Sequence, residues 1–495
     1  MKRNNIISSL AAIMLTFTAC DNYLDLVPKG ESVLNETSDY LGLLEDIYGY
    51  PLSNEWYLCG EHAPAYVDNI KNYADPLMSA CFFWDEAFNR APYMTATGSG
   101  DLYTMCYNKI AKYNIIIQNI DDSKGNGTEK AEGKAQAKIL RAYNYFYLIN
   151  TYAKPYDPST AGQERGIILR DEFILESEGV QKTVADAYAL IQQDIEDALP
   201  GLPHQALNAF RPDKSFGYAL KAKVHLFKRE TDQALEAALA CIKEAEGAGN
   251  HKLWDMNAEY QSGLEQFKTT MGMTTMPDMM FEYGGMMYTS FRQMGSMMYF
   301  SHPYEDAENL FYQNGLNYMS PQAALVRKPV LDLFDKKTDL RYTFCIGTSG
   351  KQPVTAESGS EMFNNMFFRW NCAGIKLSEA YLTVAECYAR KGDKDNAVKY
   401  VNDLRKNRHI RKYYTDLAAA DATEAMKIVR EERKRELLFT SNGFFDMRRF
   451  CTEFNETLTR EFEDKTYTLT PASHLLTFPF PVVAMQNSHL IQNSK

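Results

Sequence analysis

Residues 375–408 read IKLSEAYLTVAECYARKGDKDNAVKYVNDLRKNR, and residues 428–450 read IVREERKRELLFTSNGFFDMRRF. Tyr381, Ala385 and Tyr388 fall at i, i+4 and i+7, which places them on one face of a helix. Gly392-Asp393 interrupts the run, and Ala397, Val401 and Leu404 restart it. The spacing predicts two helices joined by a tight turn. The small residues let the paired helices approach closely, and the aromatics fill the space between neighbouring pairs.

An aromatic, a small residue four on, a Tyr three later, a Gly four later and an Ala five after that is the tetratricopeptide pattern. Tyr218, Ala222 and Ala234 repeat the spacing, with His225 in place of the Tyr and Arg229 in place of the Gly. Helical periodicity also predicts helices over 35–48, 102–120, 130–152 and 184–199, and a helix pair over 215–246. Pro155 and Pro200-Gly201 mark two of the stops. The expected fold is mainly α, with helix pairs as a scaffold over about 102–250 and 371–450. Residues 49–100 are a long irregular region, punctuated by Pro and Gly and rich in aromatics, which argues against disorder. Residues 251–370 also break the helical rhythm, and ten of the 22 methionines lie between Met271 and Met298. Phe281-Glu282-Tyr283 reads as a short strand, and 451–495 as mostly extended. Glu431 and Arg435, four apart, are expected to pair on a helix surface.

The 495-residue chain is 45% hydrophobic, ample for a large core, and its net charge of −11 argues against a nucleic-acid partner. Lys2 and Arg3 precede an uncharged, mostly apolar run, Ile6 to Ala19, that is short for a membrane span. Phe17-Thr18-Ala19-Cys20 then reads as a lipoprotein cleavage box, with 1–19 as the signal and 20–495 as the mature body. Cys20 is the expected lipidation site, and several acyl chains at about 0.8 kcal/mol per buried methylene anchor firmly. None of the nine cysteines forms a CxxC pair.

Catalytic motifs are lacking. The eight histidines are scattered, HExxH and GxSxG do not occur, and Gly347-Thr348-Ser349-Gly350-Lys351 is too short for a phosphate loop. Neither an enzyme nor a cofactor is expected. Binding fits the composition better. Sugar rings present C–H faces that lie on aromatic planes, while their hydroxyls need amides, carboxylates and guanidinium groups. The first loop region supplies Trp56, Tyr66, Tyr73 and Trp84 beside Asp68, Asn69 and Asn72, with Trp84 the leading candidate. The second supplies Tyr283, Tyr288, Arg292 and Tyr299. A Met-rich, adaptable surface would equally suit peptides.

In their order along the chain the motifs resemble the SusD/RagB family. CDNYLDLVPKG follows the lipoprotein box, and Tyr103, Tyr107, Ile110 and Asn114 are similar to the family's aromatic-Tyr-Ile-Asn helix. Leu140, Arg141, Ala142, Tyr152 and Pro155 resemble its Leu-Arg-Ala helix and the Tyr-x-x-Pro after it. The two stretches quoted first look like its C-terminal helix signatures, and Pro479, Pro481, Gln492 and Asn493 like its closing motif. The chain departs from the pattern at Thr440-Ser441-Asn442-Gly443 and at Ala484. The resemblance implies an outer-membrane surface lipoprotein that captures a glycan, or in RagB-like members an oligopeptide. It would pass that nutrient to a SusC-like TonB-dependent transporter. The helix pairs would face the transporter and the irregular loops the ligand.

Overall fold

The computed structural model describes residues 34–45, 56, 59–61, 76–95, 102–174, 179–248, 250–270, 272, 306–313, 325–346, 359–362, 371–486 and 488–495. In chain order they begin with α1 (Thr37–Gly42), α2 (Pro76–Phe83), α3 (Leu102–Asn119) and α4 (Gly127–Tyr152). β1 (Arg165–Ile168), β2 (Gln181–Thr183), α5 (Val184–Ala198), α6 (Lys214–Phe227), α7 (Thr231–Ala248) and α8 (Met256–Thr270) follow. Then come β3 (Asn309–Phe311), β4 (Leu325–Val326), α9 (Lys328–Leu331), α10 (Leu340–Cys345), β5 (Glu361–Met362) and β6 (Ile375–Lys376). The last elements are α11 (Leu377–Arg390), α12 (Lys394–Arg405), α13 (Ala422–Glu436), α14 (Asn442–Glu453), β7 (Leu458–Phe462), β8 (Lys465–Leu469) and α15 (Val482–Gln486). Among the described residues four sheets each hold two antiparallel strands: β1–β2, β3–β6, β4–β5 and β7–β8.

The helices stack in a row. α3 packs on α4, α4 on α5, α5 on α6, α6 on α7, α7 on α11, α11 on α12 and α12 on α13. α4 is the spine. From Gly133 to Tyr152 nearly every side chain is buried, as in a helix apolar on all sides. Its tyrosine hydroxyls are satisfied within the core: those of Tyr143 and Tyr147 both donate to the Ala373 carbonyl. Local chemistry sets the helix starts. Asn126, Asp213, Asp393 and Asp421 each accept an amide of the first turn of α4, α6, α12 and α13, and Thr183 with Asp186 closes a capping box on α5. Each cap is worth about 1 kcal/mol.

The α11–α12 hairpin is as the spacing predicts. Ala385 and Ala397 are fully buried, Tyr381 and Tyr388 half-buried, and Gly392 makes the turn with φ +82°, a conformation that favours glycine. Cys387 is buried, acting as a small apolar residue. The signature residues Asn114 and Arg141 meet. Arg141 makes two 2.7 Å bonds to Asp194 of α5 and a 2.8 Å bond to Asn114 Oδ1, tying α3, α4 and α5 together. Lys223 of α6 likewise reaches Glu379 of α11 at 2.7 Å and Asn442 of α14 at 2.8 Å.

Three expectations change. Helix α8 lies inside the region read as non-helical from residue 251. The C-terminal part holds one hairpin and short helical turns rather than mostly extended chain. Arg435 pairs with Glu432 at 2.7 Å, not with Glu431, which lies 3.9 Å from Lys427. The expected strand at Phe281-Glu282-Tyr283 lies outside the described residues. No helix among the described residues is long and apolar enough to cross a membrane.

Candidate functional site

Trp56 and Trp84, two of the expected ligand-facing aromatics, are core residues, 1% and 4% exposed. Trp56 packs 5.2 Å from the Phe445 ring and 5.8 Å from Tyr147. Trp84 ends α2 in the left-handed conformation, φ +49°, and the Asp85 amide reaches back to the Ala80 carbonyl at 3.0 Å. This geometry turns the indole inward. Its Nε1 donates to the Cys59 carbonyl at 2.8 Å, and the Arg460 guanidinium lies 4.1 Å from the ring centroid. Arg460, on β7, also donates to the carbonyls of Phe82 and Gly60, so the C-terminal hairpin clamps this part of the first loop region. Phe82 is buried, and half-buried Phe83 packs on Phe462 and Tyr467. Tyr66, Asp68, Asn69, Tyr73, Tyr283, Tyr288, Arg292, Tyr299 and the lipidation residue Cys20 lie outside the described residues.

Among the described residues of this region the exposed aromatic is Tyr93, at 42%. It sits in a short 3₁₀ turn, Ala91–Tyr93, with its ring 4.9 Å from that of half-buried Phe88. Asp85, Glu86 and Asn89 are exposed close by in sequence. Asp85 accepts the Ala87 amide and Asn89 the Ala91 amide, which fixes the turns. Beneath them Arg90 is fully buried. It donates to the carbonyls of Thr477 (2.7 Å), His474 (2.8 Å) and Lys495 (3.2 Å), and lies 4.9 Å over Phe478. One inward arginine therefore holds an outward aromatic pair rigidly against the C-terminal segment. The sequence does carry a signal for this pair. Trp84 closes the apolar run Leu77 to Trp84, as a core helix would, whereas Phe88 and Tyr93 stand among polar residues and Pro92.

Two open grooves among the described residues lie on the helical scaffold instead. One is lined by His204, Tyr218, Glu244 and Asn250, the other by Arg390, Met426, Arg430 and Phe454. Among the described residues no cluster of three or more His, Cys, Asp or Glu could hold a metal ion. Burial pushes the Cys387 thiol up to about 12 and that of Cys451 to about 11, so both stay protonated at neutral pH.

A row of stacked helix pairs carrying a clamped, aromatic-bearing loop defines a helical-repeat scaffold protein. A SusD-like family model, described as starch-binding associating with outer membrane, matches residues 55–226, and the SusD family model matches residues 278–474. The chain belongs to the SusD/RagB family, a family of outer-membrane-associated binding proteins. Solved structures share the fold at low identity. A SusD superfamily protein from Bacteroides thetaiotaomicron is 17% identical, with 93% of this chain and 100% of that chain covered and a TM-score of 0.66. One from Bacteroides vulgatus is 16% identical, with coverage of 93% and 99% and a TM-score of 0.66. A SusD-like carbohydrate binding protein from the same species is 16% identical, with coverage of 88% and 89% and a TM-score of 0.51. Among curated proteins none matches this sequence.

Proposed function

We propose that this protein is a cell-surface lipoprotein, anchored through Cys20, that binds an oligo- or polysaccharide and delivers it to a SusC-like TonB-dependent transporter. The observation that carries the reading is the exposed Tyr93 ring, tilted against Phe88 and held from below by Arg90. Such a surface offers an apolar plane to the C–H face of a sugar ring, and the exposed Asp85, Glu86 and Asn89 supply hydroxyl partners. Family membership and the lipoprotein box of the sequence support the same reading. The residues of the second loop region, Tyr283, Tyr288, Arg292 and Tyr299, are proposed to complete the site.

Calorimetry of the protein against a panel of polysaccharides and oligopeptides tests this. Selective binding of one glycan is expected. Tyr93→Ala should weaken it by about 1 kcal/mol or more, roughly fivefold or greater in Kd, with stability within about 0.5 kcal/mol of wild type. A protein that ignores every glycan and retains peptides is an oligopeptide-capturing lipoprotein instead. Cys20→Ser is expected to shift the protein from the membrane to the soluble fraction of fractionated cells; retention in the membrane would refute the anchor.

A further inference from the structure

His251 follows α7 at a point where three parts of the chain converge. Asp213 caps α6 with one carboxylate oxygen, Oδ1 accepting the Phe216 amide at 2.9 Å. Its other oxygen, Oδ2, meets His251 Nε2 at 2.6 Å. The second ring nitrogen, Nδ1, faces the Ala307 carbonyl at 3.2 Å. A carboxylate and a carbonyl only accept hydrogen bonds, so this arrangement requires a proton on each ring nitrogen. The backbone reinforces the convergence. The His251 amide donates to the Ala245 carbonyl in the last turn of α7, and the Lys252 amide to the same Ala307 carbonyl at 3.1 Å. The charges suit the helices, since Asp213 lies at the N-terminus of α6 and a cationic His251 lies beyond the C-terminus of α7. The ring is only 13% exposed and Asp213 3%.

We infer that His251 is held as an imidazolium that fastens the α6–α7 helix pair to segment 306–311, making the attachment of that segment proton-dependent. The segment runs into β3, which pairs with β6 at the head of α11, so the fastening joins two helix pairs of the scaffold. The surrounding charges single out Asp213 as the partner. Glu244 on α7 is engaged with His204, and Cys241, which faces Asp213, has its thiol pushed well above the usual range by burial. In segment 306–311, Asp306 and Glu308 lie 3.6 and 3.8 Å from Lys376, and Glu308 also pairs with Arg408. Burial by itself would lower the His251 pKa, but the Asp213 bond and charge outweigh it and raise it above 6.5. A raised value means the fastening is complete below the unfolded pKa and is shed as pH climbs through the folded one.

The full-length protein with ring-labelled histidines is titrated by NMR from about pH 5 to about pH 9, a window spanning the histidine range. His251→Gln identifies the resonance. Hydrogen exchange of peptides covering 250–256 and 306–312 is followed over the same range, corrected for intrinsic rates. His251 should titrate above 6.5, and local opening of both peptides should rise through that titration, about tenfold for each unit separating folded and unfolded values. Asp213→Asn retains an N-cap but not the charge. It should return His251 to 6.5 or below and abolish the pH step while α6 stays protected. A wild-type His251 that titrates at or below 6.5, or opening that is the same on both sides of the titration, overturns the inference.

Discussion

Trp84→Ala is expected to destabilise the protein by about 3–5 kcal/mol, the range for removing a large buried aromatic, rather than to abolish ligand binding selectively. Three losses combine. The indole leaves a cavity beneath the clamp, the Arg460 guanidinium loses its stacking surface at 4.1 Å, and the Cys59 carbonyl loses its 2.8 Å donor. Alanine gives no relief of the backbone, because φ +49° is unfavourable for any residue with a Cβ. Trp84→Phe should cost much less, since it retains most of the packing and an aromatic face for Arg460, while the lost Nε1 donor is common to both variants. Urea denaturation of the two variants, with glycan calorimetry under conditions where each is folded, checks this. Wild-type stability with lost binding in Trp84→Ala would return Trp84 to the ligand face.

The contrast between Trp84 and α11 shows what a sequence reveals here. The α11–α12 hairpin is legible because its determinants are local: Tyr381, Ala385 and Tyr388 sit within two turns, and Gly392 supplies the turn. The orientation of Trp84 depends on Arg460, on a strand far along the chain, and on the left-handed residue that ends α2. An aromatic in a Pro- and Gly-punctuated region reads as a loop platform until that partner is known. Tyr93 has the better local signal, a preceding proline just after the polar Asn89-Arg90, yet nothing in the sequence says that Arg90 pins the turn from beneath. The charged run from Arg430 to Glu436 misleads in the same way. It looks like a solvated helix surface, but Glu432, Arg433 and Arg435 are buried, and besides the Glu432–Arg435 pair within the helix they meet Arg341, Asp446 and the Leu333 carbonyl on other parts of the chain.

The second large effect follows from those buried charges, and Glu386→Gln is expected to cost about 3–5 kcal/mol at neutral pH. Glu386 of α11 is fully buried and receives Arg449 of α14 at 2.5 and 2.7 Å and Arg390 at 2.8 Å, with Arg433 of α13 at 3.8 Å. Asp446 engages Arg433 and Arg449, each at 2.8 Å, and Glu453 engages Arg390 at 2.7 Å. Neutralising Glu386 leaves guanidinium groups facing one another out of water, which is worse than replacing the whole cluster by apolar residues. A parallel cluster joins Glu432 to Arg341 and Arg435 at 2.7 Å and Glu436 to Arg408 at 2.7 Å. Burial alone would raise these carboxyl pKa values. The surrounding arginines outweigh it, holding Glu386 and Glu432 well below the usual range and Glu436 at about 2. Their stabilisation is therefore complete above the unfolded value of 4.5 and is lost as pH falls through the depressed folded values, that of Glu436 at about 2. Glu308 and Asp194 act in the opposite sense, burial raising both against Arg408 and Arg141, and so offset part of the acid loss. Urea midpoints measured across pH should decline gradually below about 6.5, because burial holds His409 neutral down to about 4, and then fall steeply below about 5 as the carboxylate clusters are protonated. Glu386→Gln should lie below wild type at neutral pH and converge with it in acid, because the substituted side chain has no proton left to take up. Two parallel curves would mean that Glu386 contributes packing but not charge, and coincident curves that the cluster contributes nothing to stability.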